Sequence, residues 1–352
     1  MTENLKMRQV AIGIDIGGTN TAIGVVDQDG NVLYEKKPQL LTPQKRENPN
    51  MTVAVSEELT EKYIKSLTAE IKTAIDTVKQ INSQIEVAGI GIGAPNGNYY
   101  TGTIENAANL PFVGVVNLAE LIQKNFPHIQ YVKLTNDANA AALGEMIYGG
   151  AKGMKNFVMI TLGTGLGSGI ITNGDLVYGA DGFAGEVGHT TLVANGRLCG
   201  CGGYGHLEAY CSATGIKRTV FELLSQYNAT ESELAKIPYA DMTAKIVFDA
   251  AEKGDPIAKE VFQHTGELLG RSLADTVHYL SPEAIFLFGG AAAAGDYIFK
   301  PTKESMERHL LPIFRNKVKI LPSKLKEGSV AIVGASALVW KELEKSYTAS
   351  LS

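Results

Sequence analysis

Two stretches of this 352-residue chain, more than a hundred residues apart, repeat one local plan. Residues 14–34 read IDIGGTNTAIGVVDQDGNVLY, and residues 160–178 read ITLGTGLGSGIITNGDLVY. Each runs through an apolar segment, a glycine-rich turn, a second apolar segment, a tight polar turn, and an apolar-tyrosine close. Apolar alternation of period two marks a half-buried strand, and Asp-Gly or Asn-Gly between two such runs is a strong hairpin signal. The second copy is shorter by two residues (21 against 19), which a tighter hairpin absorbs. One long-range repeat points to a duplicated domain, because solenoids repeat every roughly 20–50 residues.

The remaining segments alternate helix with strand. Leu59, Tyr63, Leu67, Ile71, Ile75 and Val78 form one helical stripe over residues 56–80. Residues 85–95 (IEVAGIGIGAP) read as a buried strand entering a glycine loop. Residues 131–137 read as a strand feeding the alanine-rich helix of 138–150. Helices are expected near 215–226, 242–253, 256–280 and 329–346, with a strand at 284–289. The class is α/β, and the length fits two domains packed across a cleft. The expected division is a smaller domain of residues 1–136 plus 330–352, closed by the returning C-terminal helix, and a larger one of 137–329.

Composition narrows the partners. The formal net charge is −5, and no basic run interleaved with aromatics occurs, so neither nucleic acid nor an acidic membrane is expected to bind. The start, MTENLKMRQVAIGID, lacks the apolar stretch of a signal peptide. The longest uncharged apolar run, residues 284–295, falls short of the ~20 residues a membrane helix needs. A cytoplasmic protein is expected. All three cysteines, Cys199, Cys201 and Cys211, cluster in RLCGCGGYGHLEAYCS (197–212). In a reduced compartment such a cluster reads as a metal site or reactive thiol before it reads as a disulfide.

The glycine turns are not dinucleotide fingerprints. Residues 163–169 (GTGLGSG) lead into a strand, where a Rossmann turn leads into a helix, and no P-loop motif is present. A glycine turn between strands still presents several backbone N–H groups to a phosphate. Two such turns, one per domain, can grip two phosphates of one nucleotide. Asp15, ending the first strand, suits Mg²⁺ shared with those phosphates, and Thr19 and Asn20 add side-chain hydrogen bonds. Either turn alone is equally a tight hairpin, and the repeat favours the functional reading. Residues 289–295 (GGAAAAG) form a third glycine loop, suited to the close approach of a flat ring such as adenine.

Asp137, where strand meets helix, is an N-cap or a general base; its local sequence favours the cap. Asn136 shares that ambiguity. Glu186 and His189, in GFAGEVGHTTL (182–192), suit sugar-like hydroxyls and a metal or substrate, or else a plain turn. Cys199, Cys201, His206 and His189 offer four N/S donors for tetrahedral Zn²⁺, with Cys211 as an alternative fourth ligand or a buried thiol. Glu208, between His206 and Cys211, is positioned by whatever orders that segment.

The motifs DIGGTN (15–20), GIGAPNG (91–97), NAANLP (106–111), NDANAAALGE (136–145), TLGTGLGSGI (161–170), GEVGH (185–189) and CGCGGYGHLEAYCS (199–212) together resemble the ROK family of repressors, open reading frames and sugar kinases. The likeness is greatest to its glucokinase-like members. It implies two duplicated actin/hexokinase-like (ribonuclease H-like) domains around a cleft. It implies ATP, carried with Mg²⁺, on Asp15, Gly17, Gly18, Thr19, Asn20, Gly163, Thr164 and Gly165, with Gly289 and Gly290 bordering the adenosine. Asp137 would be the catalytic base toward the sugar 6-hydroxyl. Asn109, Asn136, Asp137, Glu186, His189 and Glu208 would ring the hexose. A structural Zn²⁺ on His189, Cys199, Cys201 and His206 would stiffen the loop bearing the sugar contacts. The family's usual motif has a third cysteine where this chain has His206. A homo-oligomer, most simply a dimer, is implied as well.

The expected activity is phosphorylation of glucose at its 6-hydroxyl by ATP. Kinases for N-acetylmannosamine, N-acetylglucosamine, fructose or allose keep the same chemistry. A sugar-sensing regulator is the alternative of another class. The family's repressors carry a winged helix-turn-helix ahead of the first glycine motif, and about nine residues precede the first strand here, too few for one.

Overall fold

The computed structural model describes residues 8–18, 20–38, 40, 53–107, 110, 112–325 and 330–351. In chain order, the first half holds β1 (Arg8–Ile16), β2 (Thr21–Asp27), β3 (Val32–Lys36), α1 (Val53–Ile81), β4 (Ile85–Gly93), β5 (Gly97–Asn98), β6 (Thr103–Glu105), β7 (Val115–Val116), α2 (Leu118–Asn125), β8 (Tyr131–Thr135) and α3 (Asp137–Ile147). Then follow β9 (Phe157–Leu162), β10 (Leu166–Thr172), β11 (Asp175–Leu176), α4 (Glu208–Cys211), α5 (Ala213–Gln226), α6 (Ala244–Glu252) and α7 (Pro256–Leu280). The last elements are β12 (Ala284–Phe288), α8 (Asp296–His309), β13 (Lys319–Pro322) and α9 (Val330–Leu351). They form two compact units: Met1–Gly153 with Tyr178–Ala184 and Lys324–Ser352, and Met154–Val177 with Gly185–Ser323.

The first unit is built on a five-stranded sheet of order β3-β2-β1-β4-β8. The meander β1-β2-β3 is antiparallel, while β4 and β8 add in parallel. The period-two pattern sends Val10, Ile12, Ile14 and Ile16 into one core with the α1 stripe of Tyr63, Leu67, Ile71 and Val78. Ala11 and Ala88 face Val339 of α9 on the other side. There Gly24, Gly13 and Gly91 lie in one row across three strands. A Cβ at Gly13 would fall 1.9 Å from the Ile332 carbonyl oxygen, and one at Gly91 1.9 Å from that of Ala335. The glycine row is therefore a groove for the backbone of α9, and any side chain there would lift the helix off the sheet. A separate sheet of order β5-β6-β7 completes this unit.

The second unit repeats the plan, with order β11-β10-β9-β12-β13 and the same alternation of antiparallel and parallel pairs. The duplication expected from residues 14–34 and 160–178 is thus a duplication of sheet topology. Val158, Ile160, Ile285 and Leu287 fill a core with Leu269, Leu273 and Val277 of α7. Here the close approach is between helices: a Cβ at Gly270 of α7 would lie 2.2 Å from the Thr302 carbonyl oxygen of α8. Asp255 caps α7 through the Ala258 N–H, and Pro256 starts its first turn, where a missing N–H costs nothing. Among the described residues, no helix is long and apolar enough to cross a membrane.

Candidate functional site

In the first unit, Asp15 sits near the end of β1, paired in register with Gly93 of β4. The turn that follows is closed by the Gly17 N–H donating to the Asn20 carbonyl at 2.9 Å. Asp137 opens α3. Asn136 is the N-cap: its backbone is extended (ψ 149°) and its side chain accepts the Ala138 N–H at 2.8 Å. The local sequence had favoured Asp137 for the cap, and adjacent Asn and Asp cannot be told apart by composition. With Asn136 in that role, the Asp137 carboxyl needs only Oδ1 for the same N–H.

Gly93 separates the two aspartates. A Cβ there would stand 3.6 Å from the Asp137 Cα and 4.0 Å from Asp15 Oδ1, so glycine keeps the space between them open. Burial, then the charge of Asp137, pushes the Asp15 carboxyl up to about 7, against the pull of Lys37. Asp137 is open to solvent. The protein around it nevertheless raises its carboxyl, a desolvation that outweighs the backbone N–H groups lowering it. Two carboxyls raised by burial, one near the end of β1 and one at the start of α3, form a natural place for a divalent cation and a proton acceptor. Thr19 and Asn109 lie outside the described residues.

In the second unit, several segments meet at the end of β9. The Gly163 N–H closes its turn on the Gly165 carbonyl at 3.0 Å. Gly289, at φ 105°, lies against β9, where a Cβ would fall 2.5 Å from the Leu162 carbonyl oxygen. Gly290 has nothing within 4 Å of its Cβ position, leaving room for a ligand face. The start of α5 reaches the same place: the Ala213 N–H donates to the Gly163 carbonyl at 2.8 Å, and the Thr214 hydroxyl to the Thr164 carbonyl at 3.0 Å. Helix N-termini carry partial positive charge and favour phosphate. Sequence reading missed this contribution. Its signal was Ser212, the α5 cap, which accepts the Gly215 N–H.

Glu208 ties this turn to the cysteine segment. Its Oε2 accepts the Leu166 N–H at 2.9 Å, and the Cys199 Sγ lies 3.4 Å from Oε1. The donor atoms of His189, Cys199, Cys201 and His206 all fall within 4.8 Å of one another. Cys201 Sγ is 3.2 Å from His206 Nδ1, and Cys199 Sγ is 3.8 Å from His189 Nδ1. Tetrahedral Zn²⁺ with thiolate and imidazole ligands sets donors roughly 3.3–3.8 Å apart, so this set fits with little adjustment. Backbone bridges Thr191–His206 and Leu198–Tyr204 bring the donors together. The stem is held by Arg197, whose guanidinium bonds the Ala209 and Gly215 carbonyls and stacks on Tyr210. Cys211 stands apart: it is buried and its thiol donates to the Thr265 carbonyl at 3.5 Å. Glu186 is exposed and enters the one-turn helix Val187–His189.

Two units with matching five-stranded sheets, each with a glycine turn between its first two strands, define an actin-like ATPase fold of the hexokinase kind. The chain belongs to the ROK family, which it matches over residues 11–342. It is 32% identical to a glucokinase of Thermotoga maritima over 93% of this chain and 96% of that protein. It is 30% identical to a xylose repressor of Caldicellulosiruptor bescii, over 94% of this chain and 78% of the repressor. Among solved structures, a ROK family glucokinase from Streptomyces griseus in complex with glucose and AMPPNP superposes with a TM-score of 0.73 at 29% identity. That match covers 94% of this chain and 99% of that one.

Proposed function

We propose that this protein transfers the γ-phosphoryl group of ATP to the 6-hydroxyl of a hexose, with glucose preferred. The observation that carries the reading is the Asp15–Asp137 pair flanking Gly93. A protein that only sensed sugar would gain nothing from two raised carboxyls beside a glycine turn. In the proposed reaction the ionised Asp137 takes the proton of the sugar hydroxyl as its oxygen attacks the γ-phosphorus in line, and the bond to the ADP oxygen breaks. The N–H groups of the two glycine turns and the start of α5 stabilise charge on the phosphate oxygens. Asp15 would hold the Mg²⁺ that accompanies ATP, which supplies positive charge to those oxygens.

Asn109, Asn136, Glu186, His189 and Glu208 are assigned to the sugar hydroxyls. A site that bonds each hydroxyl rejects analogues lacking one, because the unmatched polar group stays buried and unpaired. His189 Nδ1 faces Cys199, so its Nε2 is the atom left for sugar. His189, Cys199, Cys201 and His206 would hold a structural Zn²⁺, which supplies a cross-link and no chemistry of its own.

The test is ADP release from Mg-ATP with glucose, mannose, fructose, N-acetylglucosamine and N-acetylmannosamine. The expected outcome is the highest kcat/KM with glucose. Preference for an acetamido sugar would keep the chemistry and move the specificity. Sugar binding without turnover would replace the kinase reading with a regulator, the reading that the likeness to a xylose repressor favours.

A further inference from the structure

Seven residues, Tyr178–Ala184, belong to the first unit although the chain on both sides of them belongs to the second. They are held by the residues around the small β5-β6-β7 sheet. The Tyr178 ring is buried and stacks on Tyr99, with centroids 4.1 Å apart and planes 6° from parallel. Its hydroxyl lies near the Thr135 side chain, two residues before Asp137. The Tyr100 hydroxyl donates to the Gly179 carbonyl at 2.8 Å. Buried Asn98 donates through Nδ2 to the Asp181 carbonyl at 2.8 Å and to Glu105 at 3.1 Å. Gly182 presses on Asn98 so closely that a Cβ would fall 2.4 Å from its Oδ1. The Ala184 N–H returns to the Tyr178 carbonyl at 3.0 Å, which ties the ends of the segment together.

The next residue begins the sugar-recognition loop. The Gly185 carbonyl accepts the Ser168 hydroxyl, and the Val187 N–H donates back to Ser168 Oγ at 3.1 Å. Glu186 therefore sits between two consecutive anchors on Ser168, one residue beyond a segment fixed on Tyr99, Tyr100 and Asn98. A free linker would need none of these contacts, and a loop that hydrogen-bonds a substrate gains affinity when its ordering is prepared in advance.

We infer that Tyr178–Ala184 is a strap that sets where the loop carrying Glu186 and His189 begins, and that Tyr178 is a positioning residue for sugar binding. This rests on assigning Glu186 and His189 to the sugar. Tyr178 supplies the strap's stacked anchor at the end opposite Glu186, its ring against Tyr99, so removing the ring loosens the strap while leaving every sugar contact in place.

Steady-state kinetics of the full chain test this. Tyr178→Ala is expected to raise the glucose KM by roughly 10- to 100-fold, with the ATP KM and kcat held within about threefold. Tyr178→Phe keeps the stack and is expected to restore the glucose KM to within about threefold of the parent. If the alanine variant does not fold, Tyr178→Leu, which keeps bulk without the stack, carries the same expectation. An unchanged glucose KM, or equal shifts in glucose KM, ATP KM and kcat together with a lowered Tm, overturns the strap. Glu186→Gln separates the two readings. If it raises the glucose KM while Tyr178→Ala does not, the strap fails alone; if it leaves the glucose KM unchanged, the sugar assignment fails first.

Discussion

The two units share one strand order and use their small residues in different places. In the first, Gly13, Gly24 and Gly91 clear a row across the sheet, and α9 lies backbone-close in it. In the second, β9 and β12 keep Val158, Ile160, Ile285 and Leu287, and the glycines move to the contact of α7 with α8. The turns differ as well. The Gly17 turn closes on its own backbone, whereas the Gly165 turn also rests on the Glu208 carboxylate. A duplicated topology thus does not duplicate packing. Strand order follows from hydrophobic alternation and hairpin chemistry, while the layer on top is free to diverge. On the proposed function, the first unit supplies the base and the second carries Glu186, His189 and Glu208, the sugar contacts that a metal knot stiffens.

The largest effect is expected at the base. Asp137→Asn should lower kcat by about 10²–10⁴-fold with glucose affinity, measured by calorimetry, largely kept. Near-normal turnover would remove the catalytic role from the first unit.

The two glycine turns should answer differently to one methyl group. At Gly165 a Cβ would stand 2.5 Å from Glu208 Oε2, and at Gly17 3.2 Å from the Asn20 carbonyl oxygen. Gly165→Ala should push Glu208 off the Leu166 N–H and raise both the ATP and the glucose KM, by roughly tenfold. Gly17→Ala should move the ATP KM alone, and less. Identical profiles would erase the distinction between the turns.

Metal removal should be felt through the second unit. A chelator, or Cys201→Ser, is expected to lower Tm and raise the glucose KM several-fold, with released zinc measured by a colorimetric dye. Cys211→Ser should leave the metal content unchanged, because its thiol points to Thr265. An unchanged glucose KM after stripping would show that the knot does not support the sugar loop.

The smallest expected effect is a pH-dependent stability of the first unit. The Asp15 carboxyl is pushed up to about 7 in the folded protein from an ordinary 3.8, so the folded state binds the proton more tightly than the unfolded chain. Stability should then fall as pH rises from 4 toward 7 and stay reduced above it. Asp15→Asn should raise thermal stability at pH 8 by roughly 1–3 kcal/mol, the lower end being favoured because the carboxyl is only half-buried, and do little at pH 4. Equal effects at both pH values would mean that Asp15 is not held up by burial and by Asp137.

Much of the scaffold was legible along the chain. The repeat, the α1 stripe, the strands at 85 and 131 and the long helix α7 carry strong periodicity over enough residues to declare themselves. Helix α8 did not. Its buried positions include Pro301, Thr302 and Ser305, which pack against the glycines of α7 in place of an apolar stripe. The strands β5, β6 and β7, of two or three residues each, are too short to show a period. The cysteine and histidine set was visible as composition, and only the paired backbone at Thr191–His206 and Leu198–Tyr204 shows how four donors meet.

What the sequence by itself determined is whatever one segment can express alone: the alternation of its strands, the turns between them, the duplication of the plan and the chemical types available for a site. Tertiary structure decided the pairings between distant segments. Asp15 and Asp137 come to lie on either side of Gly93 only because β4 pairs in parallel with both β1 and β8. Glu208 reaches the turn before Leu166 from 42 residues away, and Tyr99 finds Tyr178 across a longer span of chain. Such contacts depend on packing and burial, which act through space, whereas propensity and periodicity act only along the chain.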